Sequence, residues 1–407
     1  MPWRKQSVID ERLRFVEDVH RPGWSVAELC RRYEVSRKTG YKWLAAYAQA
    51  GAAGLADGSH RPHTCPHATP AEVVRLILQL QQRYTWGARK VRRLLQDRVP
   101  LEQVPTKTTV HRILERYGRV QPRRASRRRF HSGRPLSPMD HPNAVWSADF
   151  KGQFRTGDGV YCYPLTVQDG ATRFLLGCRG LSAPTTAGSW AVFTQLFRRY
   201  GLPERLRSDN GAPFASNALG RLSTLSVWWI RLGIRPELIE PAHPEQNGRH
   251  ERMHRTLKAE TARPPRADRA TQQYRFDEFR HRYNTERPHE ALGDATPASC
   301  YTPSPRPYTT TLDPVVYPGH FERRLVSRNG GIRWNKRWVN ASHLLAGLEI
   351  GLEAIDDGLW NVYFGPVWLG RLHEQVGRIV DQLGRPIRRR GDNHKGRKNS
   401  NAVLPIT

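Results

Sequence analysis

Apolar residues recur at helical spacing through the first third of the chain, in short runs through the middle, and in alternation towards the end. Ser7 stands before Ile9, Leu13 and Val16, with Asp10 in the first turn, which predicts a helix from Val8 to His20 closed by Pro22 and Gly23. Ser25 with Glu28 is a capping-box pattern for a short helix ending near Tyr33, and Ser36 opens a third helix carrying Tyr41, Leu44 and Tyr47. Gly40 costs that third helix about 1 kcal/mol of propensity. A second set repeats the arrangement: Val73, Ile77, Leu80 and Tyr84, then Val91, Leu94 and Leu95, then Val110, Ile113, Leu114 and Tyr117. Two all-α helix-turn-helix units are therefore expected, at 1–55 and 68–118. Their last helices would present Arg37, Lys38, Thr39 and Lys42, and Thr106, Lys107 and Thr109, residue types suited to phosphates and base edges in a major groove.

The centre reads differently. Short apolar runs at Ala144 to Phe150, Tyr161 to Val167 and Phe174 to Cys178, separated by turn residues such as Gly157, Asp158 and Gly159, predict three antiparallel strands. A helix through Trp190, Phe193, Leu196 and Phe197 follows, then a short strand at Leu206 to Asp209, an apolar helix end at Val227 to Leu232, a strand around Leu238, and a helix through Phe276, Phe279 and Tyr283. An α/β domain with a mixed sheet is expected over 141–300. Past Pro318, alternation of Leu348, Ile350 and Leu352, the turn Asp357-Gly358, and Trp360, Val362 and Phe364 predict a small β-barrel at 312–380.

Charge adds a partner to this outline. The chain of 407 residues holds 66 Lys and Arg against 37 Asp and Glu, a formal charge of +29, which points to a polyanion. Residues 119–140 form a basic linker with Arg127, Arg128 and Arg129 at its centre, and 385–407 a basic tail; neither composition can build a core. No run approaches the roughly 20 apolar residues of a membrane span, and Met1 to Arg14 lacks an apolar signal core, so a cytoplasmic protein is expected. Five cysteines, odd in number and scattered, argue against a disulfide framework. His60, His63, Cys65 and His67 lie in a Pro-rich stretch without zinc-finger spacing and read as linker.

Three acids fall where a metal site would need them: Asp149 and Asp209 at strand ends, and Glu251 on a helix. Strand ends bring side chains to a rim that substrate can reach. Carboxylates suit two Mg²⁺ or Mn²⁺ ions, which prefer oxygen ligands and support phosphodiester chemistry. Arg255 and Lys258 stand at i+4 and i+7 from Glu251, on one helix face, where DNA phosphate would lie. Separate turn and capping roles explain Asp209 alone but not all three acids at element ends of one domain. His243 and His254 read as packed or exposed histidines, and Asp169 before Gly170 as a turn residue.

The motifs Trp146-Ser147-Ala148-Asp149-Phe150, Ser208-Asp209-Asn210-Gly211 and His243-Pro244-Glu245-Gln246-Asn247-Gly248-Arg249-His250-Glu251-Arg252 resemble the signature of retroviral-type integrase cores. With Tyr283-Asn284, Arg287-Pro288-His289 and Thr296-Pro297-Ala298 behind them and helical units in front, the chain looks like a bacterial insertion-sequence transposase of the DDE superfamily. That resemblance implies a ribonuclease-H-like core. It also implies hydrolysis at the ends of a mobile element, followed by attack of the freed 3′-hydroxyl on target DNA, with Asp149, Asp209 and Glu251 as catalytic metal ligands. Its partners would be double-stranded DNA, both element ends and target, and further copies of the chain, with Trp228, Trp229 or the C-terminal barrel at the contacts. The sequence departs from the pattern in one respect: 41 residues separate Asp209 from Glu251, against a spacing of about 35 in the superfamily. Two other readings are a DNA-binding regulator, which needs no acidic triad, and a nuclease that cuts without joining.

Overall fold

The computed structural model describes residues 7–58, 68–120, 136–240 and 243–381. Arg127, Arg128, Arg129, most of the basic linker, the basic tail and the group His60, His63, Cys65 and His67 lie outside them. Among the described residues no helix is long and apolar enough to cross a membrane, and Cys30, Cys162, Cys178 and Cys300 are free thiols.

The chain divides into two compact units, with the boundary at Pro70. The first holds α1 (Val8–Val19), α2 (Val26–Arg32) and α3 (Arg37–Ala50), around Phe15, Val16, Leu29, Cys30 and Leu55. Capping decides where these helices start: the Ser7 and Ser25 hydroxyls accept from the amides of Asp10 and Glu28, whose carboxylates accept from the amides of Ser7 and Ser25 in return. Gly40 is buried in α3, where an added Cβ would stand 2.6 Å from Cys30 Sγ and 3.0 Å from Phe15 Cζ. The helix gives up propensity there to let its neighbours approach.

In the second unit, α4 (Ala71–Tyr84), α5 (Ala88–Gln96) and α6 (Lys107–Arg116) enclose Val73, Ile77, Leu80, Val91, Leu95, Val110 and Leu114. This bundle is anchored to the rest of the unit by Tyr84 Oη, which donates to Glu286 at 2.6 Å, and by the Arg89 guanidinium on Asp294 at 2.9 Å.

The central sheet comprises β1 (Val145–Phe150), β2 (Phe154–Arg155), β3 (Tyr161–Asp169), β4 (Leu175–Leu181), β5 (Arg205–Ser208) and β6 (Arg235–Leu238). Its order is β4-β3-β1-β5-β6, with β2 on the outer part of β3. The β4-β3-β1 pairs are antiparallel and β1-β5-β6 parallel, so the sheet is mixed as expected. Helices α7 (Thr186–Tyr200) and α8 (Thr224–Arg231) cover one face through Phe193, Phe197, Trp228 and Trp229. Helices α9 (Gly248–Thr261) and α10 (Arg269–Thr285) bring Met253, Leu257, Phe276 and Phe279 against Cys162 and Cys178 of β3 and β4.

Two expectations need correction. Trp228 and Trp229 are 3% and 0% exposed, so they build the core and are not available to another subunit. Helix α8 carries apolar residues on both its sides because both are covered, with Leu225, Trp228 and Trp229 in the central core and Val227 and Ile230 in the C-terminal one.

The second correction concerns the C-terminal region, where an open sheet replaces the expected barrel. Strands β7 (Glu322–Leu325), β10 (Glu349–Asp356), β11 (Leu359–Phe364), β12 (Val367–His373) and β13 (Arg378–Val380) run in the order β13-β12-β11-β10-β7, and β8 (Gly331–Trp334) and β9 (Arg337–Asn340) pair only with each other. The apolar face that a barrel would close upon itself is instead packed with Leu219, Leu222, Val227 and Ile230. A sheet whose inner face is covered this way gains little from closure.

Candidate active site

Asp149 lies near the end of β1, and Asp209 directly follows β5. These strands are parallel neighbours with Ala148 opposite Ser208, so the next residue of each is an aspartate and the two stand at the same edge of the sheet. Gly211 lets the chain turn tightly after Asp209: its amide donates to Asp209 Oδ1 at 3.2 Å, and a Cβ there would stand 3.2 Å from Oδ2. Asn210 ties the strand end to its neighbour by donating to the Ile239 carbonyl at 2.6 Å. Beneath it, Arg207 and Glu237 form a buried ion pair at 2.7 Å.

Glu251 comes to this edge from the first turn of α9, where the helix dipole favours an anion. Asp149 and Glu251 line one open cleft of about 510 Å³ with Phe150, Lys151, His254, Arg255, Lys258, Ala259 and Arg263. Crowding of acids is felt most by Asp149, whose carboxyl is pushed up to about 7, first by burial and then by the charges of Asp209 and Glu251. Burial also raises Asp209. Asp149 thus stands among charges that disfavour its ionisation, and carboxylate oxygens are donors that suit hard divalent cations.

Behind Asp149 lies a polar group that sequence reasoning did not assemble. Thr166, opposite Asp149 on β3, donates its hydroxyl to the Asp149 carbonyl at 3.0 Å, and its oxygen is 2.7 Å from His250 Nε2 and 2.6 Å from His254 Nε2. His254 Nδ1 stands 3.6 Å from Asp149 Oδ2. Burial pushes His250 down to about 3, and lowers His254 as well, helped by His250 and Lys151. Both rings are therefore neutral. The signal was present in the chain: His250, Met253, His254, Leu257 and Thr261 form the buried stripe of α9, and two histidines on such a stripe imply a buried partner.

Of the residues expected to face DNA, Arg255 and Lys258 line the cleft beside Glu251. Lys151 and Arg263, not singled out beforehand, join them there. In the first unit Arg37, Lys38 and Lys42 are exposed, while Thr39 is half-buried and its amide donates to Ser36 Oγ. In the second bundle Thr106 and Lys107 are exposed, and Thr106 is the N-cap of α6, accepting from the amide of Thr109. Two other candidates stay outside the site. His243 Nδ1 is 2.7 Å from Glu245. Asp169 is the buried last residue of β3, and its carboxylate accepts from the amides of Asn143 and Thr172 at the turn that follows.

Comparison with known proteins places two integrase core domain models on the chain, at residues 139–244 and 232–297; the first spans Asp149 and Asp209, the second Glu251. A helix-turn-helix domain model matches residues 11–63 and a homeodomain-like domain model residues 39–114. The chain is 28% identical over 241 residues to an uncharacterized 39.2 kDa protein of insertion element IS476 from Xanthomonas euvesicatoria, covering 59% of this chain and 66% of that protein. It is 30% identical over 172 residues to the uncharacterized protein K02A2.6 of Caenorhabditis elegans, covering 41% of this chain and 12% of that protein. The chain thus spans less than two thirds of the length of either relative. Similar solved structures include a chain of the simian T-cell lymphotropic virus intasome in complex with the PP2A regulatory subunit B56 gamma (14% identity, TM-score 0.35, covering 72% of this chain and 97% of that one). Another is the catalytic core domain of BIV integrase (20% identity, TM-score 0.30, covering 39% and 93%).

Proposed function

We propose, because the chain belongs to the insertion-sequence transposases of the DDE, integrase type, that its acidic cleft cuts the 3′ ends of a mobile element and joins them to target DNA. The observation that carries this reading is the pair of neighbouring strand ends bearing Asp149 and Asp209, with Glu251 facing Asp149 across one cleft.

Asp149, Asp209 and Glu251 would hold two Mg²⁺ or Mn²⁺ ions. When bound, such ions neutralise charge on the phosphate and favour both the attacking and the leaving oxygen. The chain's own residues do the rest. Lys151, Arg255, Lys258 and Arg263 bind and orient the backbone phosphates beside the acids. Thr166, itself held by the two histidines, fixes the backbone of Asp149 from behind. Water first breaks a phosphodiester bond and leaves a 3′-hydroxyl, and that hydroxyl then displaces one strand of the target at a second phosphodiester.

Recognition of the ends falls to the helical units at 1–55 and 68–118, through Arg37, Lys38, Thr39, Lys42, Thr106, Lys107 and Thr109, with Arg127, Arg128 and Arg129 of the linker at 119–140 following the backbone. The core at 141–300 carries the chemistry, and the sheet region at 312–380 and the tail at 385–407 complete the chain. Two ends must be held at once, so the active form is a homo-oligomer on double-stranded DNA. Asp149→Asn separates the tasks: strand transfer is lost while end binding in a mobility-shift assay stays within about twofold, since reader and chemistry lie in different domains. Equal loss of both would refute this division.

A further inference from the structure

The hydrogen bonds behind Asp149 leave a nitrogen lone pair with nothing to bind. A threonine hydroxyl has one proton to give and two lone pairs to accept with. Thr166 gives its proton to the Asp149 carbonyl at 3.0 Å. Its two remaining close partners, His250 Nε2 at 2.7 Å and His254 Nε2 at 2.6 Å, must then both be N–H donors. The rings are 0% and 3% exposed, stacked edge to face 4.5 Å apart, so neither carries a second proton without burying a charge against the other.

His250 supports this assignment independently. Its Nδ1 is buried with no hydrogen-bond partner. A bare acceptor there is tolerable, whereas an orphaned N–H would be rare. The same tautomer in His254 leaves its Nδ1 without a proton, 3.6 Å from Asp149 Oδ2. Two atoms that can only offer electron pairs therefore face each other. The gap is too long for a hydrogen bond from a protonated Asp149, yet it is one that two ligands of a single cation span at about 2.1 Å each. The mouth of the cleft reaches this point, because Asp149 and His254 both line it.

We infer that His254 is a further metal ligand, its Nδ1 sharing a divalent cation with Asp149, while Thr166 and His250 hold the ring in the required tautomer. The inference rests on the reading of the cleft as a metal site. An imidazole among carboxylates biases the position towards Mn²⁺ and later transition ions over Mg²⁺.

Pulsed electron paramagnetic resonance of the purified full chain with less than one equivalent of Mn²⁺ tests it. The expected result is ¹⁴N coupling to the bound Mn²⁺, replaced by ¹⁵N coupling when the protein is labelled with ¹⁵N-histidine. The coupling should vanish in His254→Gln, whose amide can still donate to Thr166, and persist in His250→Gln. The Mn²⁺ affinity of His254→Gln should fall about tenfold while that of Mg²⁺ moves less than about twofold. Mn²⁺ whose binding is abolished by Asp149→Asn but which shows no histidine coupling would overturn the role of His254 and leave the carboxylate site standing. Mn²⁺ binding indifferent to Asp149→Asn would remove the metal site itself. The labelled wild-type protein gives its answer whether or not the variants fold.

Discussion

Asp149→Asn should make the metal-free protein more stable at alkaline pH. Asn has nearly the shape of Asp, so the change removes charge with little change in packing. Folding moves the carboxyl from 3.8 to about 7, and at about 1.4 kcal/mol per pH unit this corresponds to roughly 4 kcal/mol between the protonation states. The folded state thus binds more protons than the unfolded chain between about pH 4 and 7. The penalty is absent below 3.8, accumulates through that window and is complete above 7. The Asp149 side chain keeps 20% of its exposure, and solvent there reduces the figure to about 2–4 kcal/mol. Differential scanning calorimetry in chelator should therefore show Asp149→Asn melting several degrees above wild type at pH 8, at about 2–4 °C per kcal/mol. The gap should shrink on lowering the pH to 5, and Mn²⁺ at pH 8 should stabilise wild type and not the variant. Equal melting temperatures at pH 8 in chelator, or a less stable variant, would refute the electrostatic account of this site.

Three further outcomes follow from other parts of the molecule. Gly40→Ala gains helix propensity but drives a Cβ to 2.6 Å from Cys30 Sγ; overpacking should win, and the first unit should lose about 1–3 kcal/mol in a denaturant titration followed by circular dichroism. Arg207→Met strands Glu237, whose carboxyl burial pushes up while Ser137 and Arg207 hold it below its ordinary value; the loss should be about 3–5 kcal/mol at neutral pH and should diminish as Glu237 takes up a proton in acid, read from urea melts across pH. The double variant Arg255→Ala, Lys258→Ala should weaken DNA binding to a similar degree for unrelated sequences and lower the salt dependence by about two counterions in fluorescence anisotropy.

Much of this arrangement was legible along the chain because it depends on local rules. The serines at 7, 25 and 36 and Thr106 cap helices where the apolar period begins. Asp149 and Asp209 could be placed at strand ends because short apolar runs stop there. What was missed depends on contacts remote in sequence. Thr166 is an ordinary strand threonine until β3 pairs with β1, and His254 looks like any packed histidine until α9 crosses that pair. The interval between Asp209 and Glu251 holds α8, which takes on a second task by covering the C-terminal sheet through Val227 and Ile230. That long-range packing also explains the missing barrel, since alternation reports that a strand has an apolar face but not what will cover it.

The most direct test uses a labelled DNA fragment carrying the element's own end, incubated with the full chain and Mg²⁺, Mn²⁺ or chelator, with nicked and joined products resolved on denaturing gels. Metal-dependent nicking and joining, lost in Asp149→Asn, Asp209→Asn and Glu251→Gln, is the result this account predicts. Tight end binding without any cleavage in either metal, or joining that survives loss of an acid, would contradict it.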